Sequence, residues 1–182
     1  MWKRLRTIIA GSSVPEDLPH AENTLIWLLR FDPQPSQALR IAAFAHDIER
    51  ALDNKKIHRT DFDDFYVFKA AHASNSAKIL MEILTECSIN KAISLEACSL
   101  VSLHEIGGNA NADLLMNVDS ISYFDVNLPL YFQREGLEET KRRSAWGYKR
   151  LSERGKEIVK KLKYNEEILT RMMFEVTQIQ TS

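Results

Sequence analysis

The sequence predicts an all-α protein, a compact single-domain helical bundle, and three observations carry the prediction. No stretch sustains the period-two alternation of a half-buried strand. Apolar residues recur instead at three- and four-residue spacing, which gathers them on one face of a helix. The residues that break regular structure are scarce, 6 Gly and 5 Pro in 182 residues, and they fall mostly between the periodic segments.

The elements follow in order. The opening "MWKRLRTIIAGSS" is basic and then briefly apolar; its apolar run is shorter than that of a secretory signal, and no membrane-length apolar stretch follows. A first helix is expected over about 18–30, with "NTLIWLLR" as its apolar body. "FDPQPS" interrupts it, and Ser36 is placed to cap a second helix over 37–51. Thr60, with Asp61 and Asp63, opens a long third helix whose early acids suit the positive end of the helix dipole. A fourth, over 90–105, stops at Gly107-Gly108. A fifth spans "NADLLMNVDSISYF"; "DVNLPL" separates it from two more, over 136–151 and 154–178. The expected domain covers 1–182, with residues 18–125 as its core and 126–182 as helices completing the bundle.

A net charge of −1 gives no broad electrostatic pull on nucleic acid or membrane surfaces, so neither is expected as a partner. Cys87 and Cys98 fit neither a metal-binding spacing nor a disulfide framework, which suggests a reducing, cytoplasmic setting.

Chemistry enters with the histidines. In "AAFAHDIERA" a run of small and apolar residues ends abruptly in His46 and Asp47. His20 opens the first helix; His72 continues the stripe of Phe65, Phe68, Ile79 and Ile83; His104 ends the face of Ala97, Leu100 and Val101. Only His58, in the polar "DNKKIHRT", reads as a surface residue. One buried histidine is ordinarily a hydrogen-bonded core residue. Four on inward faces each need a partner, or each costs a few kcal/mol. A shared divalent cation would serve all four, because neutral imidazole is the commonest metal ligand. Asp47, beside His46, and Asp119, between apolar Val118 and Ile121, are the carboxylates placed to balance its charge. Read singly, Asp119 is a helix–helix contact; read with the histidines, it is a ligand.

The pattern of His20, His46-Asp47 and Asp119 resembles the HD superfamily of metal-dependent phosphohydrolases. "AAFAHDIER" is similar to that family's apolar helix ending in the HD pair. His72 in "HASNSAKIL" and His104 in "SLHE" resemble the extra histidines of its two-metal members. The resemblance spans about 18–125 and implies an HD-type helical fold. It implies that His20, His46, Asp47 and Asp119 hold a first metal, and that Asp47 bridges to a second held by His72 and His104. Such a pair of ions activates a water and directs hydroxide at phosphorus. A donor set of nitrogen and oxygen suits one or two ions of Mn, Fe, Co, Ni, Zn or Mg.

The chain departs from parts of the family. Cyclic-dinucleotide members carry Gly and Lys after HD-Ile and a later Gly-Tyr-Pro, whereas here Glu49 and Arg50 follow Ile48 and "HEIGGNANAD" has no such signature. Guanosine-polyphosphate hydrolases carry a Glu-Asp pair, and Glu49 is followed by Arg50. The segments "RFDPQPSQALRIAA" and "ADLLMNVDSISYF" also resemble a small uncharacterised bacterial HD-like family, some of whose members lack part of the metal set.

Phosphoryl chemistry also calls for cations on the phosphate oxygens. Lys69 lies three residues before His72 on one helical face; Arg50 takes the place of the family's basic residue, or else ends a helix in solvent. With Asp47 they form the expected catalytic set. The run "KRRSAWGYKRLSERGK" reads as a solvated face more readily than as a substrate entrance. The expectation is a phosphohydrolase acting on a small phosphorylated compound, a nucleotide or related phosphate ester. A homodimer is compatible with it. The alternatives are a non-catalytic HD-type module that binds a ligand or partner, and a di-iron oxygenase.

Overall fold

The computed structural model describes residues 1–178, and the last four residues of the expected 126–182 segment lie outside the described residues. The protein is all-α, with no strand among the described residues. The helices are α1 (Trp2–Ala10), α2 (Asp17–Phe31), α3 (Gln37–Ala45), α4 (Phe65–Glu86), α5 (Lys91–Leu103), α6 (Ala110–Ser122), α7 (Leu128–Lys149), α8 (Glu153–Val159) and α9 (Glu167–Gln178). Tight 3₁₀ turns cover Ile48–Ala51 and Arg59–Asp61, and a wide π turn covers Tyr123–Asn127. None of the described helices is long and apolar enough to cross a membrane.

The chain packs as two compact units, Met1–Met116 and a second from Asn117 onward, so the boundary falls inside α6. The expected core of 18–125 therefore takes in most of the first unit and the start of the second.

In the first unit α4 packs on α5, α5 on α3, and α3 on α2. Helix α3 has neighbours on two sides, and Ala42, Ala43 and Ala45 are wholly buried beside Ile41 and Leu39. Its small side chains let the flanking helices approach closely, and only Gln37 and Arg40 among its residues are exposed. Ser36 caps it as expected, accepting from Leu39 N at 3.1 Å. Asn90 caps α5, accepting from Ala92 N at 2.9 Å.

Several boundaries differ from expectation, each for a local reason. Helix α1 was not anticipated; its charged residues obscure Leu5 and Ile9, four apart and both buried. The second helix ends at Ala45, not at 51. His46 Nδ1 lies 3.1 Å from the Ala43 carbonyl, which the amide of Asp47 would take in a continuing α-helix. The third helix begins at Phe65 because Asp64, not Thr60, is its cap, accepting from Tyr66 N at 2.7 Å and Val67 N at 2.9 Å.

The second unit is more continuous than expected. "DVNLPL" is helical: the π turn carries the chain from α6 into α7, and Pro129 sits in the first turn of α7, where no N–H is required. Gly136, with φ 78°, kinks α7 where a new helix was expected to start. The stretch 154–178 divides into α8 and α9, and Tyr164 in the connection donates to the Phe124 carbonyl at 3.0 Å.

Candidate metal centre

Four of the first unit's helices deliver four imidazoles in a row. His20, on α2, has its ring 5.1 Å from that of His46, just past α3. His46 lies 5.1 Å from His104, just past α5, and His104 lies 5.6 Å from His72 on α4. All four are buried. Asp47 joins the row with both oxygens. Its Oδ1 is 2.8 Å from His72 Nε2 and 3.6 Å from His104 Nε2; its Oδ2 is 3.9 Å from His46 Nε2. Asp47, His72 and His104 each offer a donor atom within 4.8 Å of the others. The nitrogens His20 Nε2 and His46 Nε2 are 3.1 Å apart.

The far side of each ring decides which nitrogen faces the centre. His46 Nδ1 and His104 Nδ1 lie 3.1 and 2.7 Å from the carbonyls of Ala43 and Val101. A carbonyl only accepts, so both Nδ1 atoms carry hydrogen and donate, and the Nε2 lone pairs turn inward. His72 Nδ1 lies 2.7 Å from Glu49 Oε1, a carboxylate that fixes the ring in the same sense. Outer partners of this kind orient metal-ligating histidines and raise their basicity. The donors present therefore fit a divalent ion of nitrogen and oxygen preference.

The electrostatics favour positive charge here. Burial opposes ionisation of Asp47, but His46, His104 and His72 outweigh it and hold its carboxyl well below the usual range. Burial likewise opposes charging of His104; Glu105 and Asp47 overcome it and push the imidazole up to about 10. His72 is raised against burial by its bonds to Asp47 and Glu49. Carboxylates cannot donate, so each Nε2 that faces one calls for a proton or a cation between them.

The two expected basic residues are both engaged. Arg50 spans Asp17 Oδ1 at 2.8 Å and Asp47 Oδ2 at 3.0 Å, so it orients the central carboxylate. Burial raises the Asp17 carboxyl against the pull of Arg50. Lys69 forms an ion pair with Glu105 Oε1, which lies 3.2 Å from His104 Nε2. A small cavity abuts the His20 end, with Asp17, His46 and Asp47 in its wall beside Ile9 and Phe44. His58 is exposed, as expected. Asp119 belongs to the second unit, where Arg150 Nη2 lies 3.3 Å from its Oδ2 and the Arg150 guanidinium stacks 4.2 Å over Trp146.

Sequence reasoning missed Asp17, Glu49 and Glu105. Glu49 is 1% exposed and also accepts from Ile57 N at 3.3 Å and from Asn75 Nδ2. Its retrievable signal was an acid two residues after Asp47 in an apolar setting. Glu49→Gln is expected to weaken divalent-metal binding by about 10–100-fold while the helical far-UV spectrum is kept, because the partner that orients His72 becomes neutral. Titration of the variant with Zn²⁺ checks this; unchanged affinity would make Glu49 a purely structural partner.

A family model described as "Domain of unknown function (DUF4202)" matches residues 5–171. No curated protein and no solved structure matches the chain.

Proposed function

The chain belongs to the family described as Domain of unknown function (DUF4202), a description that assigns no activity, and from the site we propose a metal-dependent phosphohydrolase acting on a small phosphorylated compound, a nucleotide or related phosphate ester. The observation that carries this reading is the convergence of His46, His72 and His104 on Asp47, each imidazole held from behind so that Nε2 faces inward. The resemblance of "AAFAHDIER" to the HD pattern supports it.

Divalent metal, when bound, supplies Lewis acidity toward phosphate oxygens and an activated water. The chain's own residues do the rest. Asp47 presents an ionised oxygen to His72 and another to Arg50. Arg50, held by Asp17 as well, keeps that carboxylate from rotating. Lys69 lies largely out of solvent beside Glu105 and brings a cation to the rim of the site. A charge-assisted contact from such a cation to phosphate contributes about 1.5–3 kcal/mol.

The test begins with metal content of protein purified without added metal, at one or two ions per chain. A panel of phosphomonoesters and nucleotides is then screened with several divalent ions after chelation. At saturating metal, Lys69→Ala is expected to cut turnover by about an order of magnitude or more, whereas His58→Ala leaves it unchanged. If the metal-loaded protein hydrolyses no ester, the binding-module reading replaces this one. Oxygen consumption by the iron-loaded protein would instead favour an oxygenase.

A further inference from the structure

The centre is built from two matching pieces. Helix α3 ends at Ala45 and is followed by His46-Asp47; helix α5 ends at Leu103 and is followed by His104-Glu105. The two histidines have nearly the same backbone conformation, φ −58° and ψ −35° at His46, φ −61° and ψ −21° at His104. Each turns its Nδ1 back onto the carbonyl three residues earlier. Each is followed by an acid whose oxygen returns to the same imidazole, at 3.9 Å from His46 Nε2 and 3.2 Å from His104 Nε2. In a continuing helix, successive side chains point about 100° apart, and His and acid could not share a centre. Because both helices stop one residue short, both members of each pair turn inward. Glu105 is buried, while Ile106, the next residue, is 70% exposed.

We propose that Glu105 is a metal ligand, the counterpart of Asp47, and that Lys69 competes with the metal for its Oε1 oxygen. The inference rests on the metal-site reading above and deepens it. Glu105 Oε1 faces His104 Nε2 on one side and Lys69 Nζ on the other. A divalent ion held by His104 and Glu105 meets the lysine charge at that same oxygen. Binding of the ion therefore loosens Lys69 from Glu105, and a lysine released at the rim is available to an anionic ligand. One carboxylate thus couples metal occupancy to the phosphate-facing cation.

Co²⁺ is the probe, followed by its visible absorption and by equilibrium dialysis with metal analysis. Glu105→Gln keeps the shape of the side chain and removes its charge. It is expected to bind Co²⁺ at least tenfold more weakly, or with one ion fewer, and with an altered visible spectrum. Lys69→Met is expected to bind Co²⁺ several-fold more tightly, because the competing cation is gone. If Glu105→Gln does not fold, the double variant Glu105→Gln/Lys69→Met removes both charges of the ion pair together; it should bind Co²⁺ more weakly than Lys69→Met alone. Affinity and spectrum unchanged by the loss of the Glu105 charge overturn the ligand assignment, and weaker binding in Lys69→Met overturns the competition. Wild-type protein that takes up no Co²⁺ overturns both this inference and the metal-site reading. Co²⁺ binding that needs Asp47 but not Glu105 overturns this inference alone. Co²⁺ binding that needs Glu105, without hydrolysis of any ester, supports it while the phosphohydrolase reading falls.

Discussion

Asp47→Ala is expected to abolish tight divalent-metal binding, with affinity falling by more than about the 10–100-fold that loss of an outer partner produces. The two oxygens of Asp47 reach different parts of the row: Oδ1 faces His72 and His104, and Oδ2 faces His46 and Arg50. Its removal takes a negative charge from among three imidazoles and leaves Arg50 to Asp17 and the nearby Glu16. The remaining nitrogens are still aligned by the Ala43 and Val101 carbonyls and by Glu49, so the fold is expected to survive as judged by far-UV circular dichroism. Metal analysis after dialysis against micromolar Zn²⁺ reads the result. Wild-type occupancy in this variant would take Asp47 out of the centre.

The largest loss of stability is expected at Ile41→Ala, about 2–5 kcal/mol by urea unfolding. Ile41 is wholly buried on α3, the helix that lies against both α2 and α5. Deleting its outer carbons removes apolar contact and leaves a void that the neighbouring alanines, already small, cannot fill by repacking. The same substitution at Ile26, 46% exposed on α2, should change stability by no more than about 0.5 kcal/mol. Equal effects at the two positions would mean that α3 is not the structural centre of this unit. Because His46 directly follows the end of α3, metal affinity of Ile41→Ala at low denaturant should fall with its stability, as ligands are lost to partial unfolding.

What was legible in the sequence follows from periodicity. His72 and His104 stand on apolar stripes with three- and four-residue spacing, and both are buried. Ser36 announces its helix because a short oxygen-bearing side chain before an apolar run has one evident use, to take an orphan amide. Glu105 was not legible, and Glu49 only through its place two residues after Asp47. An acid next to a helical histidine is expected on a different face, and a glutamate near a helix end reads as solvated. Nothing in "FAHDIE" or "SLHEI" marks the stop at Ala45 or Leu103, since no Gly or Pro is present at either. At Ala45 the His46 imidazole takes a carbonyl that the backbone would otherwise use; at Leu103 the Val101 carbonyl meets both the imidazole and the amide of His104, a three-residue bond in place of the helical four-residue one. The break between α8 and α9 escaped for a similar reason: its connection is held by Tyr164, forty residues from the carbonyl it meets.

The shared architecture of the two His–acid pairs has a kinetic consequence. Both lie at the carboxyl ends of helices, where aligned peptide dipoles leave about half a negative charge each. Around them, the carboxylates of Asp17, Asp47, Glu49 and Glu105 confront the permanent cations of Arg50 and Lys69. A phosphate ester that arrives before any metal meets these carboxylates, offset only in part by the protonated His104, and a lysine already taken by Glu105. Arrival in the opposite sequence meets neither obstacle. Under the proposed function the protein therefore binds in a compulsory order, cation first and anion second, and phosphate affinity measured without metal should be far below that measured with it.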